Sequence, residues 1–268
     1  MTSSVPTPVR TVLTTTRRHG VRALLMRGQA CILYGASEFS RDVDLAIYAH
    51  PDNLSRLQGA LDELGASVTA VPPFAPEYLA RGHAVHFRCA AAEDMRLDIM
   101  AVMRNVPDFE TCWGRRTIAT LDEVGEVDVL GLEDLVAAKK TRRDKDWPMI
   151  RRLVDVHYAE FANEPTDSRL AFWLRELRTP EALVDCVRRA PEAAQRMADK
   201  RDAVAFALQA SISDGPLWPM EVPLHEEEMR ERQADEAYWR PLLQEQEVLR
   251  HAARRGQRPP LGGGGLTA

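Results

Sequence analysis

The sequence has little cysteine, no surplus of positive charge and no long hydrophobic run. Its four cysteines, Cys31, Cys89, Cys112 and Cys186, lie far apart and form no CxxC pair. That spacing argues against a zinc site or a disulfide framework and for buried free thiols in a reducing compartment. Lys and Arg number 35 against 40 Asp and Glu, a net charge of -5. A general nucleic-acid binder is usually basic overall, so any nucleic-acid contact here must be local. No apolar run approaches the roughly 20 residues that a membrane helix needs. The opening MTSSVPTPVR lacks the apolar segment of a signal peptide. A cytoplasmic, soluble protein with no membrane partner is the expectation. Ser-His-Asp sets, Walker loops and GxGxxG turns are absent, as is any internal repeat.

What is present is the composition of a globular protein, 45% hydrophobic and 28% charged over 268 residues. That length suffices for one ordinary core and a second, smaller one. Residues 8–19 read as a helix closed by Gly20, and 21–26 as a buried strand. Residues 28–34 read as a compact turn or short helix, and 42–48 as a strand entering a core. The clearest helix is 51–64, with Pro51 at its start, Gly65 past its end, and Leu54, Leu57, Leu61 and Leu64 on one face. Residues 84–89 and 95–102 read as two strands of an antiparallel hairpin. A helix at 108–115 and a strand at 126–130 follow.

From residue 132 the periodicity turns helical, over 132–142, 146–160, 168–177, 181–189 and 191–211. An acidic helical stretch at 224–252 is expected to bend or break at Pro241, and 256–268 reads as a disordered tail. The organisation expected is α+β. A mixed-sheet core at 1–130 is flanked by helices, a helical domain spans 131–215, and an acidic helical extension spans 216–255.

Three carboxylates then need a reason. Alternation on a strand puts Asp42 and Asp44 on one face and sends Val43 and Leu45 to the other. Two adjacent carboxylates repel, and each raises the other's pKa unless a cation lies between them. Asp98 interrupts an otherwise apolar strand, where Asp is depleted. If its strand lies beside that of Asp42, the three converge into an oxygen-only ligand set suited to Mg²⁺ or Mn²⁺. Such a trio could hold two metals, one orienting a triphosphate and one activating an attacking hydroxyl.

The stretch VRALLMRGQACILYGASEFSRDVDLAI resembles the nucleotidyltransferase superfamily. Its signature is a Gly-Gly or Gly-Ser pair after a hydrophobic residue, a short spacer, and then Asp and a hydrophobic residue, twice over. Gly28 takes the second glycine place, residues 29–41 make a spacer of thirteen, and Asp42-Val43-Asp44-Leu45 completes the pattern. Ser40 falls where relatives often carry Ser or Thr, and Asp98 matches the third carboxylate. Downstream, Leu130 to Leu135 leads into a helix bearing Lys139, Arg142 or Arg143, Lys145 and Asp146. That segment is similar to the one closing the domain in bacterial relatives of the abortive-infection toxins.

The resemblance covers roughly residues 10–155. It implies a nucleoside triphosphate substrate and transfer of a nucleoside monophosphate with release of pyrophosphate. The implied acceptor is a tRNA, a protein or a small molecule, and a toxin-like role would bring an antitoxin partner. It also implies metal ligation by Asp42, Asp44 and Asp98, with Asp98 a candidate to help deprotonate the acceptor. Nucleotide binding falls to Arg27, Gly28, Ser40, Lys139, Arg143 and Lys145. Arg27 departs from the pattern, since relatives carry a small residue there. It either contacts phosphate directly or obstructs the backbone's approach to it and marks a catalytically degenerate binding module.

Other features read more plainly. The run 139–145 is either a triphosphate or RNA clamp or a solvated helix end. His83 and His86 lie three apart, on opposite faces of a strand, and are read as structural. Arg96 shares the face of Asp98 and either pairs with it or touches phosphate. Tyr238 and Trp239 are read as packing onto the domain.

Overall fold

Glycine sets the first turns. Gly20 and Gly65 adopt φ of +66° and +57°, left-handed conformations that a side chain resists. Each follows a helix, α1 (Thr7–Arg18) and α3 (Pro51–Glu63), and redirects the chain into the sheet. Between them come β1 (Ala23–Met26), α2 (Arg27–Leu33) and β2 (Asp42–Ile47). The leucine stripe of α3 is buried as its spacing requires, with Leu54, Leu57, Leu61 and Leu64 all in the core. The computed structural model describes residues 6–37, 39–213 and 216–255; the expected tail at 256–268 lies outside them.

The chain continues through β3 (Ala66–Val68), α4 (Pro76–Ala80), β4 (Val85–Cys89), β5 (Met95–Met100), α5 (Phe109–Gly114), β6 (Thr117–Leu121) and β7 (Gly125–Val129). The strands form one seven-stranded sheet in the order β3-β4-β5-β2-β1-β7-β6. Strand β2 sits at its centre, parallel to β5 and antiparallel to β1. The expected hairpin is present: β4 pairs antiparallel with β5, Cys89 facing Met95 and His86 facing Asp98. Strands β3 and β6 and helix α4 are additional to the elements that the sequence pattern implies. The two strands are short edge strands whose residues are largely exposed, so they carry little hydrophobic periodicity.

Seven α-helices follow among the described residues: α6 (Leu132–Lys139), α7 (Asp146–Phe161), α8 (Asp167–Glu176), α9 (Pro180–Arg189), α10 (Pro191–Ala198), α11 (Asp202–Ser213) and α12 (Glu221–Arg254), with a short 3-10 turn at Trp218–Met220 before the last. Mixed sheet, flanking helices and helical C-terminal region make the α+β architecture that the sequence implies.

Two expectations are corrected. Residues 191–211 form two helices, because Arg201 turns inward between them. It donates to the Leu174 and Leu177 carbonyls at the end of α8 and pairs with Glu227. Of the bend or break expected at Pro241, the break does not occur: α12 runs 34 residues through it. Pro241 and Ala237, whose carbonyl loses its helical partner, are both exposed, so water can satisfy the freed oxygen.

Helix α12 folds back over the sheet-bearing half. Glu245 meets Arg81 and His83, each at 2.7 Å. Glu231 takes Arg104 at 2.8 Å, and Asp235 accepts the backbone N–H of Arg142 at 2.9 Å. All four cysteines are free and buried. No helix among the described residues is long and apolar enough to cross a membrane.

Candidate metal centre

The site grows from the centre of the sheet. Val43 and Leu45 enter the core, which fixes Asp42 and Asp44 on the opposite face of β2. The parallel register sets Asp44 directly beside Asp98 of β5. One carboxylate oxygen from each of Asp42, Asp44 and Asp98 lies within 4.8 Å of the others. Asp44 and Asp98 are buried, and Asp42 is half-buried.

The three carboxylates have different surroundings. Asp44 Oδ1 is buried without a hydrogen-bond partner. Arg27 Nη1 is 3.4 Å away, near enough for charge attraction but not aligned as a hydrogen bond. Burial pushes the Asp44 carboxyl up to about 7; Arg27 opposes this, while Asp42 and Asp98 add to it. Asp98 is fully engaged. Arg96 grips both its oxygens at 2.8 Å, and His86 Nδ1 lies 2.8 Å from Oδ1. Burial works to raise its pKa, but His86 and Arg96 together hold it below the ordinary carboxylate range. Asp98 as it stands is therefore an ionised carboxylate and a poor proton acceptor.

Asp42 is steadied by Ser40, whose hydroxyl lies 3.1 Å from Asp42 Oδ1 and 3.2 Å from its carbonyl. Gly28 makes this possible. A Cβ at residue 28 would lie 2.2 Å from Ser40 Oγ, so the space the glycine leaves is filled by Ser40. The unusual residue is Arg27, with φ of +53°. A side chain there costs about 1 kcal/mol or more, and this is the position where the resembled family carries a small residue.

The basic run is not one open clamp. Lys139 is only 7% exposed, and its Nζ lies 3.2 Å from Asp146 Oδ1. Asp146 also accepts from Thr141 Oγ1 at 2.6 Å and Arg143 Nε at 2.7 Å. Lys145 is exposed at the start of α7. Arg143 and its neighbour Arg142 instead line a cavity of about 200 Å³ that also reaches Arg27.

His83 is buried against Glu245 and does not meet the carboxylates. His86 does, which corrects its structural reading: the spacing from His83 says nothing of cross-strand register, and register brings it to Asp98. In a hairpin turning through residues 90–94, His86 must face Asp98. Arg96 pairs with Asp98, the first of its two foreseen readings.

The cluster fits a hard divalent cation. Its donors are all carboxylate oxygens, one of them orphaned, and three such groups side by side are costly without positive charge between them.

No protein-family model matches the chain, and no curated protein matches it. Among solved structures, a candidate nucleotidyltransferase from H. pylori is similar at a TM-score of 0.36 and 14% identity, over 86% of this chain and 94% of that one. JHP933 from Helicobacter pylori is similar at 0.32 and 12%, over 90% and 98%. Scores at this level leave the functional argument to the site's own geometry.

Proposed function

We propose that this chain is a metal-dependent nucleotidyltransferase that moves a nucleoside monophosphate from a nucleoside triphosphate to an acceptor hydroxyl. The observation that carries the reading is the convergence of Asp42, Asp44 and Asp98, with an unpartnered oxygen of Asp44 among them. Mg²⁺ or Mn²⁺ held there supplies the charge neutralisation that lets triphosphate and nucleophile approach.

The chain's own residues set up the rest. Ser40 fixes the rotamer of Asp42, and Arg96 with His86 fixes that of Asp98. Arg27 places a cation beside the carboxylates, where phosphate charge would arrive. In the reaction, the acceptor oxygen forms a bond to the α-phosphorus. The bond from that phosphorus to the bridging oxygen breaks, pyrophosphate departs with the electron pair, and the hydroxyl proton passes to solvent. The acceptor is a tRNA, a protein side chain or a small molecule.

The test is incubation with Mg²⁺ or Mn²⁺, each labelled triphosphate in turn, and a cell extract. Label should move to an acceptor and pyrophosphate should be released, both abolished by Asp42→Ala. Folded protein that transfers from none of the four nucleotides contradicts the reading. A toxin-like role adds growth arrest on expression, relieved by the same substitution and by an antitoxin partner.

A second reading has its own support: Arg27 beside Asp44 and Arg96 on Asp98 already supply positive charge to two of the three carboxylates. In that case the chain is a degenerate member that binds nucleotide or a partner without turnover. Calorimetric triphosphate binding with no catalysis, unaffected by Asp98→Asn, would establish it.

A further inference from the structure

The cavity beside Arg27 has two chemically distinct halves. Part of its lining is apolar: Met26 ends β1, Met100 ends β5, Met103 follows, and α12 contributes Trp239 and Leu243. Thioethers and an indole make a soft, polarisable surface suited to a flat aromatic ring. The rest carries four arginines, Arg27, Arg104, Arg142 and Arg143. Of these, Arg104 is committed to Glu231 and the Lys140 carbonyl, and Arg143 to Asp146. The Arg142 guanidinium makes no hydrogen bond or ion pair among the described residues. Arg27 is held only loosely, its Nη1 3.4 Å from Asp44 and its Nη2 3.7 Å from the Met100 sulfur. Arg27 therefore stands between cavity and carboxylates, touching both.

A soft apolar lining that includes one indole, with spare cations beside it, suits a ligand that is itself part flat ring and part anion. We propose that this cavity receives the nucleoside end of the triphosphate, its base stacked on Trp239, so that the C-terminal helix α12 is a wall of the nucleotide site. The inference rests on the nucleotidyltransferase reading and deepens it. About 200 Å³ is less than the ~300–1,000 Å³ common for pockets that enclose a whole small ligand. The cavity takes one end of the nucleotide and leaves the phosphates to run past Arg27 toward the triad.

The indole is pre-set for this task. Trp239 Nε1 donates to Asp235 Oδ1 at 3.1 Å, while Asp235 Oδ2 accepts the Arg142 N–H at 2.9 Å. Asp235 is itself buried. The carboxylate thus ties the ring to the segment that carries Arg142, and ordering costs at binding are reduced.

The test compares Mg²⁺-loaded nucleoside triphosphate with inorganic tripolyphosphate, which has the charge but no base. Both are titrated calorimetrically into the full chain, wild type, Trp239→Leu and Trp239→Phe. Loss of base stacking should weaken triphosphate binding by Trp239→Leu about tenfold or more, leave tripolyphosphate unchanged, and spare Trp239→Phe. Independently, triphosphate but not tripolyphosphate should quench indole emission in the wild type, and that quenching should vanish in Trp239→Phe. The second readout holds even if Trp239→Leu fails to fold.

Triphosphate binding that Trp239→Leu leaves intact, equal weakening of both ligands, or quenching that survives in Trp239→Phe overturns the cavity assignment alone. A wild type that binds neither ligand overturns the nucleotidyltransferase reading, and the assignment with it.

Discussion

Replacing Asp44 with asparagine should stabilise the metal-free protein at alkaline pH, although it removes a charged group from the heart of the site. Burial lifts the Asp44 carboxyl from 3.8 to about 7. A carboxyl whose folded pKa lies above its unfolded one binds its proton more tightly when folded. Its ionisation therefore costs the folded state nothing below about pH 4. The cost grows as pH rises between the two values, and it is complete above about 7. Each pKa unit is worth ~1.4 kcal/mol, so the full penalty is of order 4 kcal/mol, and about 3 kcal/mol of it accrues between pH 5 and 8.

Asparagine keeps the shape and cannot ionise, so the penalty disappears. Urea denaturation with chelator present, at pH 5 and pH 8, measures the difference between wild type and Asp44→Asn. The gain from the substitution should be larger at pH 8 by about 3 kcal/mol. Millimolar Mn²⁺ should erase it by stabilising only the wild type. A pH-independent difference, or a variant less stable than wild type at pH 8, would refute the claim that Asp44 is desolvated and short of positive charge.

Gly28→Ala drives a Cβ to within 2.2 Å of Ser40 Oγ and 2.8 Å of Ser40 Cβ. It should cost about 1–3 kcal/mol in thermal denaturation, and Ser40→Gly should restore most of that. Lys139→Met leaves Asp146 buried with one cation fewer, so a loss of roughly 3 kcal/mol is expected. Unchanged stability with lost triphosphate binding would instead make Lys139 a phosphate ligand. Arg27→Gly relieves a left-handed side chain and removes a cation that competes at Asp44. Mn²⁺ titration should show tighter metal binding, and triphosphate titration weaker nucleotide binding.

Much of the carboxylate site was legible because it depends on local pattern. Alternation alone puts Asp42 and Asp44 on one face, and an aspartate in the apolar run around residue 98 asks for a partner. That β5 lies parallel beside β2, in a register that matches Asp44 to Asp98, is a matter of sheet order, which no local pattern specifies. The glycine turns at 20 and 65 and the leucine face of α3 were legible for the same reason.

What escaped depends on distant neighbours. Lys139 reads either as a phosphate ligand or as part of a solvated helix end until Asp146 is seen folded against it. Residues 191–211 read as a single helix until Arg201 is found holding the end of α8. The left-handed Arg27 violates local preference outright, as residues held at functional sites are known to do. His86 was within reach, since hairpin arithmetic pairs it with Asp98.

Anomalous diffraction from crystals grown with Mn²⁺ and a non-hydrolysable triphosphate analogue tests the central claim most directly. The account predicts a manganese peak in direct coordination with an oxygen of each of Asp42, Asp44 and Asp98, with Arg27 turned from Asp44 toward phosphate. A site free of manganese, with Arg27 still on Asp44 and Arg96 still clasping Asp98 beside bound nucleotide, would contradict it.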